Sequence, residues 1–181
     1  MKRLTACVAL FAFVLASAGA VRYETKKDAL KEIFKNHSTV MKKEVKLTAE
    51  DAKDINGKFG GGHRKGEKFS IYYAKGDDGE VELYAVTMLE ILEKYMAYHT
   101  WIIVFNNDFT IREVVMIELT DEYTFGMSSP LFLDQFAGKT AGDCVIAETV
   151  DAVSGATMSS ELFVTSLEKA EYLIRRQNFT L

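Results

Sequence analysis

The end of the chain carries the clearest periodic pattern. Between Met158 and Arg176, apolar and small residues recur every three or four positions. They are Leu162, Phe163, Ser166, Leu167, Ala170, Leu173 and Ile174. Because this spacing places them on one face of a helix, it predicts a C-terminal amphipathic helix that packs against a core.

Upstream of that helix, apolar runs separated by turn sequences predict β-strands. Phe69–Ala74 and Val81–Met88 flank the sequence Gly-Asp-Asp-Gly, which predicts a hairpin turn. Tyr98–Phe105 and Thr110–Leu119 flank a second turn of Asn-Asn-Asp. Since consecutive strands joined by short turns pair with one another, the pattern predicts an antiparallel meander.

Two shorter elements are predicted between the meander and the last helix. Leu131–Phe136 follows Pro130 and is interpreted as a short helix. Cys144–Ala147 is a candidate for a short strand. Together with the C-terminal helix, these elements and the meander define a domain over residues 68–181.

Residues 21–67 are more polar, and their signals are helical. Ala29, Leu30, Ile33 and Phe34 form one apolar helix face. Thr48-Ala-Glu-Asp51 predicts the capped start of a second helix. We therefore predict an α+β fold, in which an antiparallel meander sheet packs against helices and a helical segment at 21–67 precedes the main domain.

The first 20 residues have the features of a secretory signal peptide. Lys2 and Arg3 precede an apolar run of 13 residues, Leu4–Ala16, and Ala18-Gly-Ala20 offers small residues for cleavage. The run is shorter than the roughly 20 apolar residues of a transmembrane helix. We expect a protein that is exported to the periplasm or another extracytoplasmic space and is soluble after cleavage before Val21. An uncleaved membrane anchor is the alternative.

Composition and charge exclude several classes of function. The chain has 181 residues, of which 48% are apolar, enough for one domain with a core. Its formal net charge of −4 argues against a nucleic-acid partner. Cys144 is the one cysteine outside the first 20 residues, so no intrachain disulfide framework is expected.

No residue pattern predicts a metal centre or a catalytic group. The three histidines at 37, 63 and 99 lack the spacing of a zinc motif. There is no Gly-x-Ser-x-Gly sequence for a nucleophilic serine. We expect no metal ligands and no catalytic side chains.

One segment, Asp151–Ser160, combines several features of a ligand site. Ser154, Gly155 and Ala156 are small and let a bulky group approach the backbone, and Gly155 allows a tight turn. The segment runs into the predicted C-terminal helix, where Thr157, Ser159 or Ser160 can provide a cap. A helix N-terminus attracts a phosphate, although an ordinary helix cap explains the same residues.

The sequence Asp151-x-x-Ser154-Gly155-Ala156-Thr157 resembles the flavinylation motif of the FMN-binding domain family. That family includes FMN-carrying subunits of the sodium-pumping quinone reductase and of Rnf-type complexes, and many small exported redox proteins. Leu133–Lys139, with Phe136, Gly138 and Lys139, is similar to a second stretch of the family. The resemblance covers about residues 80–181.

The resemblance implies that Thr157 carries FMN through a phosphoester bond, installed by an exported FAD:protein FMN transferase. It implies that Asp151, Ser154, Gly155 and Ala156 are recognised by that transferase and surround the phosphate, with Met158 and Ser159 next to them. Contacts to the isoalloxazine ring are expected from the segment after the last strand. They are assigned to Glu118, Tyr123 and Gly126.

By this resemblance, the protein is an exported electron carrier and not an enzyme with its own substrate. Its expected partners are a membrane redox complex or another exported redox protein. Two other functions stay open. The protein could be a small extracytoplasmic flavin-dependent reductase, or an exported binding module without redox chemistry, in which the motif is only a helix cap.

Overall fold

The structure is a computed structural model that describes residues 25–92, 96–177 and 179. In these residues, a five-stranded antiparallel sheet forms the centre of the fold. The strands are β1 (Val40–Lys46), β2 (Lys68–Lys75), β3 (Val81–Leu92), β4 (Ala97–Asn106) and β5 (Ile111–Leu119). Each strand pairs with the next one along the chain, in the order β1-β2-β3-β4-β5. The predicted α+β fold with an antiparallel meander is therefore confirmed.

In the described part of the chain, four α-helices accompany the sheet: α1 (Lys26–Ile33), α2 (Ala49–Phe59), α3 (Pro130–Leu133) and α4 (Thr157–Arg175). Two 3-10 segments, Glu122–Ser128 and Ala141–Asp143, flank α3. The start of α2 is the predicted one: the Thr48 hydroxyl accepts a hydrogen bond from the Asp51 N–H at 3.1 Å, and the Asp51 carboxylate accepts one from the Thr48 N–H at 2.9 Å. This reciprocal arrangement satisfies two backbone donors at once.

The N-terminal segment, predicted as helical, also contributes a strand. Strand β1 pairs with β2 along its whole length, from Val40 opposite Ala74 to Lys46 opposite Lys68. Only Val45 of this strand is buried. The described part of residues 21–67 therefore shares the sheet with residues 68–119.

The two faces of the sheet have separate apolar cores. On one face, α2 and α4 cover a large cluster that includes Trp101, Phe105 and Phe163. The Trp101 indole N–H donates to the Ser166 hydroxyl of α4 at 2.7 Å, and its ring meets Phe163 edge-on at 4.9 Å. On the other face, α1 covers a smaller cluster. Helix α4 is thus fixed against the sheet by the face that its periodicity predicts.

A buried ion pair joins the sheet to α4. The Lys169 ammonium, 1% exposed, lies 2.6 Å from a carboxylate oxygen of Glu90 on β3. The same ammonium lies 3.1 Å from Nε2 of His63, whose Nδ1 is 3.0 Å from the Glu67 carboxylate. The sequence pattern of α4 does not reveal that Lys169 is buried in an ion pair, because Glu90 and His63 are both distant from it in the sequence.

The strand predicted at Cys144–Ala147 does not form, and this prediction is wrong. Only an isolated bridge joins Ile146 to Val150. Ala147 has a φ of +65°, and the Thr149 hydroxyl accepts a hydrogen bond from the Val145 N–H at 2.8 Å. The segment turns back on itself within a few residues, so no extended strand is available to pair.

Across the described part of the chain, no helix has both the length and the apolar character that crossing a bilayer requires. The predicted signal peptide at residues 1–20 lies outside the described residues.

Candidate functional site

The segment singled out in the sequence ends where helix α4 begins. The helix runs for 19 residues from Thr157, and its N-cap residue is Ala156, which provides no side-chain cap. The cap expected from Thr157, Ser159 or Ser160 is absent: the Ser160 hydroxyl instead accepts from the Val153 N–H at 3.2 Å and donates to the Ala156 carbonyl at 3.0 Å. A helix N-terminus without a side-chain cap carries positive charge that suits an external anion.

The turn before the helix leaves open space next to the backbone. Gly155 has a φ of +80°, and no atom lies within 4 Å of the position that a Cβ would occupy. Ala156 is buried, whereas the side chain of Thr157 is exposed. A side chain at residue 155 would be strained by its backbone angle and not by its neighbours.

A cleft of about 560 Å³ lies at this helix N-terminus. One wall is the segment Gly155–Ser159, and the other is the start of the 3-10 segment after β5. The full set of lining residues is Asp121, Tyr123, Thr124, Gly155, Ala156, Thr157, Met158 and Ser159. The volume lies within the range of roughly 300–1,000 Å³ that is typical of cofactor and ligand sites.

The upstream stretch Leu133–Lys139 holds the motif loop in place. The side-chain amide of Gln135 brackets the backbone of Asp151: its oxygen accepts from the Asp151 N–H at 2.7 Å, and its nitrogen donates to the Asp151 carbonyl at 3.4 Å. Phe136 is fully buried against Phe163 of α4 at 4.8 Å. The two stretches that carry the family resemblance are therefore in direct contact.

Gly126 provides a second contact between the 3-10 segment and the motif loop. A Cβ at this glycine would stand 2.7 Å from a methyl group of Val153. The segment therefore approaches the loop more closely than a side chain would allow. Gly126 shapes the junction of the two cleft walls but is not itself among the lining residues.

We expect Gly126→Ala to lower the free energy of unfolding by about 1–3 kcal/mol, since the new methyl group overpacks against the stiff side chain of Val153. The measurement is the midpoint of urea unfolding. Gly142→Ala is the matched control, because nothing lies within 4 Å of a Cβ there. Adding Val153→Ala to Gly126→Ala should recover most of the loss, and an unchanged midpoint for Gly126→Ala alone would contradict the close contact.

Six of the predicted site residues line the cleft and four do not. Gly155, Ala156, Thr157, Met158, Ser159 and Tyr123 line it. Asp151 and Ser154 are exposed beside it, Gly126 packs on Val153, and the Glu118 carboxylate accepts from the Tyr98 hydroxyl at 3.0 Å. The assignment of these residues to cofactor contacts stays a prediction.

Sequence reasoning missed two lining residues, Asp121 and Thr124. The Asp121 carboxylate accepts from the Tyr123 N–H at 3.0 Å and so begins the 3-10 segment, and the buried Thr124 hydroxyl donates to the Asp121 carbonyl at 2.6 Å. An Asp followed three residues later by Thr, directly after a strand, was the available signal for a capped turn.

Two buried titratable groups, His99 and Cys144, have shifted pKa values. Burial lowers the pKa of His99, with the Asp121 carboxylate acting in the opposite direction, and neither ring nitrogen has a hydrogen-bond partner in the described part of the chain. Burial raises the pKa of the Cys144 thiol to about 11, so the thiol stays protonated and unreactive at neutral pH. Among residues 25–92, 96–177 and 179, no cluster of His, Cys, Asp and Glu could hold a metal ion.

Comparison with known proteins supports the resemblance that the motif indicates. Residues 99–171 match the family model described as an FMN-binding domain. This range begins in β4 and ends in α4, so it contains the cleft and both stretches of the resemblance. The suspected family is therefore confirmed for this part of the chain. No curated protein matches the chain.

The fold is similar to that of a solved protein, NqrC from Shewanella oneidensis. The comparison with its crystal structure has a TM-score of 0.55 and covers 83% of this chain and 85% of that chain. The sequence identity is 17%, so the likeness concerns the fold. It extends beyond the family match and includes elements N-terminal to residue 99.

The cleft fits the group that this family binds. A phosphate at the N-terminus of α4 would meet an uncapped helix end, and the open side of Gly155 leaves the backbone accessible to it. The exposed Thr157 places a side-chain oxygen at the same point. The family match and this geometry together support FMN binding by residues 99–171.

Proposed function

We propose, on the premise that residues 99–171 match the FMN-binding domain family, that this protein is an exported electron carrier with FMN bound covalently to Thr157. The observation that carries the proposal is the position of Thr157. It is an exposed hydroxyl-bearing residue at the first turn of an uncapped 19-residue helix, and it lies on the wall of a cleft of about 560 Å³.

The residues of the cleft have separate roles in this proposal. The Thr157 oxygen forms the phosphoester bond, and the N-terminus of α4 stabilises the negative charge of the phosphate. Gly155 and Ala156 keep the approach to the backbone open, while Tyr123 and Thr124 form the opposite wall. Bound FMN supplies the redox chemistry, and the protein contributes attachment, burial and orientation.

The attachment step requires a second protein. In the proposed reaction, an exported FAD:protein FMN transferase joins the FMN phosphate of FAD to the Thr157 oxygen. The bond between the two phosphates of FAD breaks, AMP leaves, and the threonine hydroxyl loses its proton. Asp151 and Ser154 are exposed beside the cleft, where a transferase can reach them.

The proposed electron donors and acceptors are a membrane redox complex or another exported redox protein. Export rests on the N-terminal sequence, in which two basic residues precede the apolar run Leu4–Ala16. N-terminal sequencing of exported material is expected to find Val21 first. Met1 retained in the membrane fraction would instead indicate an anchored carrier.

The test is coexpression with a flavin transferase in an exporting host, followed by intact mass and peptide mapping. The protein is expected to gain the mass of one FMN less one water. Trypsin releases residues 140–169 as one peptide, because no Lys or Arg lies between Lys139 and Lys169. Fragmentation of that peptide should place the added mass on Thr157. If a known acceptor in the same cells is modified and this protein is not, the proposal fails.

A further inference from the structure

A groove on the far side of the sheet from α4 combines an apolar floor with a basic rim. It lies between α1 and the β1–β2 edge and has a volume of about 640 Å³. Leu30, Phe34, Val40 and Tyr72 form the floor. Lys26, Lys27 and Lys31 stand at the rim, and Lys42 reaches the same ring of Tyr72 from β1. The groove has no part in the FMN site.

Two ammonium groups converge on one aromatic ring in this groove. The Lys26 nitrogen lies 5.7 Å from the centroid of the Tyr72 ring, and the Lys42 nitrogen lies 5.9 Å from it. Burial, followed by the charge of Lys42, lowers the pKa of Lys26. Two like charges near a partly buried site repel each other, and an anion between them would relieve that repulsion.

The charge of the rim is not neutralised within the described part of the chain. Lys31 pairs with Asp28 at 3.3 Å, whereas Lys26, Lys27 and Lys42 form no salt bridge with any described carboxylate. The whole chain carries a formal net charge of −4, so the lysine rim has the opposite sign to the protein as a whole. A basic rim around an apolar floor complements a molecule with an anionic head and an apolar tail.

The position of the groove in the chain favours a membrane as the source of that molecule. Lys26 is the first residue of α1, and the apolar run Leu4–Ala16 ends nine residues before Thr25. Nine residues span at most about 30 Å. As an uncleaved anchor, the run would hold α1 within that distance of the bilayer. As a signal, it would bring α1 to the bilayer during export, before cleavage ahead of Val21.

We propose that this groove binds anionic phospholipid at a membrane surface. The phosphate of the head group lies between Lys26 and Lys42, and an acyl chain lies on Leu30, Phe34 and Val40. Val40 is 43% exposed, which is consistent with an apolar surface that a lipid chain covers. The proposal is independent of flavin attachment, because the groove and the cleft lie on opposite faces of the sheet.

The first test is flotation of the full chain with vesicles of phosphatidylcholine alone or mixed with phosphatidylglycerol. We expect binding to the mixed vesicles to exceed binding to phosphatidylcholine and to weaken as salt is raised. The double variant Lys26→Glu/Lys42→Glu should bind the mixed vesicles at least tenfold more weakly. The control Lys53→Glu/Lys65→Glu makes the same change of net charge at two exposed lysines away from the groove and should bind as the original protein does. Equal losses in both variants, or no preference for phosphatidylglycerol, would overturn the proposal.

A second test uses dihexanoyl phosphatidylglycerol below its micelle concentration, measured by calorimetry. Saturable binding should occur with the original protein and the control, and it should be lost in the groove variant. Inorganic phosphate that binds as well as the lipid would indicate a simple anion site and overturn the lipid assignment. Should Lys26→Glu/Lys42→Glu fail to fold, Val40→Asp places a charge on the floor at an exposed position and is expected to abolish lipid binding. Lipid binding that survives Val40→Asp would then refute the proposal. The intact mass of each variant shows separately whether FMN is bound, so a failure of the flavin site is not confused with a failure of lipid binding.

Discussion

Replacement of Thr157 by valine is expected to abolish covalent FMN completely, while Thr157→Ser retains part of it. Valine keeps the shape of threonine but removes the side-chain oxygen to which the proposal assigns the phosphoester bond. Thr157 is exposed, and the buried face of α4 does not include it, so the helix should form in each variant. Intact mass and in-gel flavin fluorescence after denaturation give the two readouts.

The matched control is Thr165→Val, which lies in the same helix and the same tryptic peptide. The Thr165 hydroxyl donates to the Glu161 carbonyl at 3.0 Å and is remote from the cleft. We expect this variant to be labelled as the original protein is. FMN retained by Thr157→Val would disprove attachment at Thr157, and loss of labelling in both variants would show that the effect does not depend on the position of the hydroxyl.

Two further variants separate recognition from attachment. Gly155→Val should block labelling, because a β-branched residue is poorly suited to a φ of +80° even though the space next to Gly155 is open. Asp151→Ala should reduce labelling without removing the acceptor oxygen, if Asp151 serves recognition by the transferase. Full labelling of Gly155→Val would contradict the need for this turn.

We expect a second large effect from Lys169→Met, which should lower the free energy of unfolding by about 3–5 kcal/mol. The substitution keeps the length of the side chain but leaves the 4%-exposed Glu90 without its buried counter-charge. For a protein of this size, the loss corresponds to a fall in melting temperature of about 6–20 °C. Trp101, the one tryptophan of the chain, is fully buried under α4 and reports the unfolding by its fluorescence.

Restoring an apolar pair should reverse most of that loss. In Lys169→Met/Glu90→Leu no charge stays buried without a partner, and such exchanges are often neutral or stabilising. Lys68→Met is the control, because Lys68 and Glu44 form an exposed pair at 2.8 Å whose loss should cost at most about 1 kcal/mol. Equal stability of Lys169→Met and Lys68→Met would mean that the buried pair is not formed as described.

Features that depend on local periodicity could be predicted from the sequence. Helix α4 was predicted as 158–176 and runs over Thr157–Arg175, because its apolar face repeats at helical spacing over five turns. The four strands predicted for the meander all form, although β3 runs to Leu92, four residues past its predicted end at Met88. The capping of α2 by Thr48 was also predicted, since the motif lies entirely within four residues.

Features that depend on contacts between distant parts of the sequence could not be predicted. Strand β1 reads Val-Met-Lys-Lys-Glu-Val-Lys, and as an edge strand it buries only Val45, so no alternating apolar pattern marks it. Burial of Lys169 follows from Glu90 and His63, which are 79 and 106 residues away in the sequence. At the cleft, the motif predicted the wall formed by Gly155–Ser159. The role of Asp121 and Thr124 depends on how the chain returns after β5.

The order of the strands has a consequence for how the molecule is assembled. Each strand pairs with the one that precedes it in the chain. Strands β2 to β5 are joined by short connections and can pair by hairpin closure, whereas the connection from β1 to β2 contains α2. Helix α4 is the last element, and it contacts β3 and α2, which are made much earlier. The motif lies at the start of this last element. A folding chain therefore presents the proposed acceptor, Thr157, beside its cleft only after the sheet is complete. A modifying enzyme that recognises this surface would act on fully folded molecules and not on partly folded ones.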